Sequence, residues 1–214
     1  MLEVTLTKKI AGVEIWRDSY SLRAAHEMIH RVNQDSPVIQ NKEGFLLGLA
    51  YDLRKAYEAQ RQRQRRWRGE GKERCSIYGV QILWPVLIPQ VGLLHEAIAF
   101  IPTTRRDQAI VYELEALIEE AVRSALPGQE ALILAQMQSI GAEHHLIEDL
   151  VDSRCRYFIG LPPAQRLKQL PALLDTFDSS YEFLADRVEG ASDSLISPDE
   201  FDEAASGGWP EFEW

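Results

Sequence analysis

From Cys75 to Leu94 the chain reads CSIYGVQILWPVLIPQVGLL, twenty residues without a formal charge. A stretch this apolar has two stable homes, the hydrocarbon of a bilayer or the interior of a folded domain. Its two prolines, two glycines and two glutamines, and the lack of a comparable flanking segment, argue against a membrane span. The domain reading predicts a buried strand, SIYGVQILW, running into a buried helix that carries Pro85 and Pro89 in its first turn and ends near Phe100. The rest of the fold has to wrap around that strand and helix.

At 214 residues and 45% hydrophobic, the chain can do so with a single sizeable core. In LEVTLTKK, Val4 and Leu6 alternate with Thr5 and Thr7, and after Ala11-Gly12 the run VEIW alternates again, which predicts a hairpin. A lone hairpin is marginal in water, so SIYGVQILW is expected to pair with it. Asp18 or Ser19 caps a helix to about Asn33, ended by Asp35-Ser-Pro. A second helix runs from about Glu43 through FLLGLAYDLRKAYEAQRQRQRR, loses its apolar face after Tyr57 and stops at Gly69-Glu-Gly71. Thr103 or Thr104 caps a regular helix up to Pro127-Gly128, and further helices follow over 129–140, 143–159, 164–176 and 178–188. SPDEF at Ser197 is a capping-box pattern for one short helix. The fold class is therefore mainly α (α+β), a multi-helix bundle with a small N-terminal antiparallel sheet. Residues 1–188 read as one domain and 189–214 as an acidic, aromatic-containing C-terminal tail.

HEMIH, His26 to His30, has the form of the zinc-protease signature, in which two imidazoles one helical turn apart hold the metal and the intervening Glu deprotonates its water. It raises the possibility of a zinc-dependent hydrolase built on His26, Glu27 and His30. The context argues against that reading. His26 and His30 fall on the flank of the apolar face beside Arg23, and Glu27 has Arg23 and Arg31 at ion-pair spacing. No third ligand stands in the next helix, which leaves His95 or the EHHLIED cluster with His144 and His145 as the places to seek one. A dinuclear carboxylate site would need a second Glu-x-x-His segment, and Glu27 to His30 is alone. No Gly-rich phosphate loop, nucleophile elbow or Cys-His pairing occurs. The sequence thus predicts no catalytic residue, no metal and no cofactor. Cys75 and Cys155 lack the spacing of a disulfide framework, and MLEVTLTKKI lacks the pattern of an export signal, so a cytoplasmic setting is expected.

The formal charge of −10 is unevenly spread. From Glu189 to Trp214 there are eight acids and no Lys or Arg, whereas Arg61 to Arg74 holds seven cations against Glu70 and Glu73. The cluster Arg61, Arg63, Arg65, Arg66, Trp67 and Arg68 reads as the solvated end of the second helix, with cations that suit the C-terminal dipole. It also has the guanidinium and aromatic composition of a partner-binding surface, for an acidic protein or for nucleic acid through Arg61–Arg74. The tail ends GGWPEFEW, and Trp209, Phe212 and Trp214 are odd in a solvating acidic segment. They either anchor the tail in a partner's groove or fold it back on the chain's own body.

Gly12-Val13 in the hairpin, Tyr51-Asp52-Leu53-Arg54 in the second helix and Ile82-Leu83-Trp84-Pro85 at the entry to the third resemble a family of uncharacterised bacterial proteins, a domain of unknown function. The resemblance covers residues 1 to about 125. It implies a bacterial intracellular protein and transfers no catalytic residue. The expected function is that of a non-enzymatic accessory or regulatory protein. It binds another protein or a multi-subunit complex through the basic helix end and the aromatic tail, with nucleic acid as the alternative partner.

Overall fold

The two alternating segments near the N-terminus form the predicted hairpin, β1 (Glu3–Leu6) against β2 (Gly12–Arg17), in a computed structural model that describes residues 3–67, 74–181, 183 and 195–214. The uncharged run divides as expected into strand β4 (Arg74–Leu83) and helix α3 (Trp84–Ile98). Before it come α1 (Ser19–Asp35), α2 (Phe45–Tyr57) and β3 (Gln62–Trp67). After it come α4 (Arg105–Ala125), α5 (Glu130–Ala142), α6 (Ile147–Gly160), α7 (Pro163–Asp175) and α8 (Pro198–Ser206). The fold is the mainly helical bundle with a small antiparallel sheet that the sequence predicts. Among the described residues no helix is long and apolar enough to cross a membrane.

The sheet has the order β1-β2-β4-β3, all antiparallel. Directly opposed residues share a face, so Val13 with Ile82 and Ile15 with Val80 carry one face into the core. On the other face Trp16 lies over Gly79, where a Cβ would come within 2.7 Å of the indole. Glu14, beside it, accepts from the Trp16 indole N–H, the Thr5 hydroxyl and the Gln81 amide, which ties three strands together on the outer side.

Helix α3 is buried through most of its length, and α5 crosses it at Gly92 and Gly141. A Cβ on Gly92 would meet the Met137 carbonyl oxygen at 2.2 Å, and one on Gly141 the Gly92 oxygen at 2.3 Å, so the two backbones approach this closely only because both residues are glycine. Polar groups drawn into this core are satisfied in part: the Trp84 indole N–H and the Asn33 Oδ1 are buried with no hydrogen-bond partner among the described residues, while other groups find one. Ser36 donates to the Ala97 carbonyl and Asn33 to the Lys42 carbonyl. The first N–H of α2, at Phe45, is capped from afar by the Glu148 carboxylate (3.0 Å), which also accepts from Asn41.

Asp18 caps α1 through the Ser21 N–H, and Thr104 and Asp107 form a reciprocal capping box on α4. Ser197 and Pro198 open α8 as predicted, but the Ser197 hydroxyl makes no capping bond. The helix expected over 143–159 is interrupted, because His144–Leu146 forms a 3₁₀ turn before α6. Most of the helix expected over 178–188 falls outside the described residues.

The largest correction concerns the second helix, which ends at Tyr57 and does not run on to Arg66. Ala59 takes φ of 60°, and Gln60 N–H returns to the Lys55 carbonyl, a left-handed stop of the kind that glycine usually marks. The following Gln62–Trp67 then pairs residue for residue with β4. Glu, Ala, Gln and Arg are all good helix formers, so local propensity pointed to a helix, and pairing with a buried strand overrode it.

Residues 195–214 lie against the body. Ile196 and Phe201 are buried, α8 packs on α6 through Tyr157 and Phe201 (ring centroids 5.3 Å apart), and the Arg154 guanidinium stacks 4.1 Å from the Phe201 centroid. The Tyr181 hydroxyl donates to the Ile196 carbonyl and accepts from the Ile196 N–H. At the far end the Trp214 carbonyl accepts from Lys9 N–H (2.9 Å) in the β1–β2 turn, where Ile10 is held at φ of 60°. Arg166 clasps the same turn, donating to the carbonyls of Lys9, Ile159 and Leu161.

Candidate functional site

Helix α1 puts His26 and His30 one turn apart with ring centroids at 6.0 Å. Their surroundings are those of a packed helix flank. His26 meets Tyr57 edge-on at 5.7 Å, with its Nδ1 3.4 Å from the Tyr57 hydroxyl, and Arg23 lies over the same ring. Burial, then the nearby His30 and Arg54, lowers the His26 pKa and favours the neutral imidazole. Glu27 was expected to pair with Arg23 and Arg31, but Arg31 turns to Asp107 (2.7 Å) and leaves Glu27 exposed. The other histidines stand apart from this pair. His95 Nδ1 bonds the Glu115 carboxylate between α3 and α4, while His144 and His145 line a cavity of about 190 Å³ with Asn41, Leu93 and Glu148. Among the described residues no group of three or more His, Cys, Asp or Glu is arranged to hold a metal ion. Burial, then the nearby Asp152, pushes the Cys155 thiol up to about 12, so it stays protonated and unreactive at neutral pH.

The arginine cluster occupies β3, which forms one edge of the sheet. The register splits its side chains between two faces. Arg63 and Arg65 stand opposite Tyr78 and Ser76, while Gln62, Gln64 and Arg66 stand opposite Gly79, Ile77 and Cys75. Two of the cations are neutralised within the chain: Arg61 pairs with Asp52 at 2.8 Å and Arg66 with Glu3. Arg63 donates to the Ser76 hydroxyl through Nη2 (2.9 Å) and Nε (3.3 Å) and lies over the Tyr78 ring, contacts that orient it without cancelling its charge. Arg65 is exposed. Among the described residues, neither Arg63 nor Arg65 has a carboxylate partner. Trp67 contributes its backbone to β3, and Arg68 lies outside the described residues.

The tail aromatics divide. Trp209 is half exposed with the Arg156 guanidinium over its ring, and Arg156 also donates to the Ala205 and Gly207 carbonyls. Phe212 and Trp214 contact each other edge-on at 5.2 Å and pack against the core. Of the residues singled out in the sequence, the structure brings Arg61 and Trp214 together. Both line a cavity of about 460 Å³ at the start of β3, with Asp52, Gln62, Gln81 and Leu83. Sequence reasoning missed the Glu14 network on the outer sheet face, whose signal was one acid in an otherwise apolar alternating run. It also missed the buried Arg154 and Arg166, which no local pattern distinguishes from surface cations.

A helical bundle carrying a four-stranded antiparallel sheet, with a cationic strand on one edge, is thus the class of molecule defined by fold and site. The chain belongs to a family described as a domain of unknown function (DUF6904), whose model matches residues 2–214. The match agrees in kind with the resemblance seen in residues 1 to about 125 and reaches well beyond it, through the helices after α4 and the C-terminal segment. No curated protein and no solved structure matches the chain.

Proposed function

We propose that this protein is a non-enzymatic accessory or regulatory subunit of a bacterial cytoplasm, and that it binds an anionic macromolecular partner through the β3 edge. The observation that carries this reading is the state of Arg63 and Arg65, two adjacent cations on one face of an edge strand, without a carboxylate partner among the described residues. A partner supplies that charge. Arg61 and Trp214 extend the surface at the start of the strand, where they line the 460 Å³ cavity. The aromatic tail therefore contributes through its docked end, with Trp209 left exposed beside Arg156.

The experiment is site-specific photo-crosslinking in cells, with the reactive group placed at Gln64 in the middle of the strand. A discrete adduct to another macromolecule that disappears when Arg63→Glu and Arg65→Glu are combined supports the reading. An adduct pattern indifferent to the charge reversal contradicts it.

A further inference from the structure

We infer that the partner presents an extended acidic segment which adds to β3 as a fifth strand of the sheet, with acids at alternate positions facing Arg63 and Arg65. This rests on the reading of β3 as the partner-binding edge and names the partner's chemistry.

An edge strand pairs through one side of its backbone and leaves the other side's N–H and C=O groups open. β3 pairs with β4 over six residues, Gln62 to Trp67, and among the described residues no other strand lies against it. An open row of this length is long enough to template another strand. The side chains then decide which strand is accepted. Successive residues point to opposite faces, so an added strand that places acids at positions i and i+2 sets both on one face, about 6.6 Å apart along the strand. That is the face of Arg63 and Arg65. Opposed residues have Cβ atoms roughly 5 Å apart, within reach of a guanidinium–carboxylate pair.

Arg63 is already braced by Ser76 and Tyr78, so pairing it costs little further ordering. Gln64, on the opposite face, can meet a neutral β-branched or polar residue. The same arginines reject the wrong strands. A second copy of β3 would bring like charges face to face, and an uncharged strand would gain the backbone bonds alone. Two cations without a carboxylate partner among the described residues, with Arg61 and Arg66 neutralised by Asp52 and Glu3, make a poor track for a polyphosphate backbone but match an acid–x–acid segment.

The test uses the full chain and a short labelled peptide alternating Glu with Thr and Val. A copy N-methylated at two adjacent central amides keeps its charge but cannot pair on either side. The proposal expects the unmodified peptide to bind, the methylated copy to bind roughly tenfold or more weakly, and hydrogen exchange to slow within Gln62–Trp67 in the complex. Combining Arg63→Glu with Arg65→Glu abolishes that binding and transfers it to the same peptide with Lys in place of Glu, which shows that the variant is folded and that charge selects the strand. Equal binding of the two acidic peptides overturns strand addition and leaves charge-based docking intact. A single-stranded oligonucleotide that binds where the acidic peptide does not overturns the acidic-segment chemistry. Failure of both probes, together with an unchanged crosslinking pattern, overturns both readings.

Discussion

The β3 edge and the C-terminal segment from Ile196 to Trp214 look alike in the sequence, each a run whose charges are all of one sign. In the structure they behave as opposites. The C-terminal segment carries six acids and no Lys or Arg, yet Ile196 and Phe201 are buried and Phe212 and Trp214 pack against the core. The strand is paired through its backbone, and Arg63, Gln64 and Arg65 are exposed. A run of like charges therefore does not by itself send a segment into solvent. What matters is the apolar residues interleaved with the charges: PDEFDEA turns Phe201 inward and its acids outward, whereas QRQRR has nothing to bury.

The strongest way to break this contrast is Phe201→Ala. If the segment is part of the core, the loss of a ring packed between Tyr157 and Arg154 costs about 3–5 kcal/mol, read as a lower urea midpoint. A loss well below about 1 kcal/mol would return the segment to the status of an appendage. Next comes Arg166→Met, which keeps side-chain bulk but strips donors from the carbonyls of Lys9, Ile159 and Leu161. It should cost about 2–3 kcal/mol, and substitution at Arg65 should cost almost nothing, although both are arginines.

A smaller effect sharpens the comparison through pH. Burial alone would raise the Asp107 pKa, but hydrogen bonds from the Thr104 N–H and hydroxyl, with the Arg31 pair, outweigh it and hold the carboxyl below its usual value. A carboxylate depressed by folding stabilises above its unfolded pKa, near 4, and that contribution fades as pH falls through the folded value. Asp107→Asn should therefore cost about 1 kcal/mol at neutral pH, and the gap to the wild-type chain should close as the pH is lowered past 4 toward 2. Urea midpoints across that range check it. The smallest expected change in stability belongs to Arg63→Glu with Arg65→Glu, within about 0.5 kcal/mol of the wild type, because neither residue makes an ion pair among the described residues.

The buried half of the fold was legible because its signals are local and repeated. The alternation in VEIW and the uncharged run into Trp84-Pro85 lead to β2, β4 and α3, and Thr104 caps α4 where expected. The end of α2 was not legible, because Ala59 takes a left-handed conformation that no residue type there announces, and because β3 is held by its neighbour and not by its own pattern. The candidate site was legible as a set of arginines but not as a surface. Which of them are compensated depends on Asp52 and Glu3, and Glu3 reaches Arg66 from the other end of the sheet's chain order. Likewise, nothing near Gly44 in sequence reveals that Glu148 caps α2 and excludes a Cβ at Gly44, since its Oε1 would sit 2.1 Å from that atom.

Residue-resolved hydrogen exchange of the free chain tests the contrast between the two segments in one measurement. Helix α8 and Lys9, bonded to the Trp214 carbonyl, should exchange as slowly as the core helices, while alternate amides of Gln62–Arg66, those facing away from β4, exchange fast. Rapid exchange throughout α8, or uniform protection along the outer edge of β3, would contradict the assignment of one segment to the core and of the other to a partner.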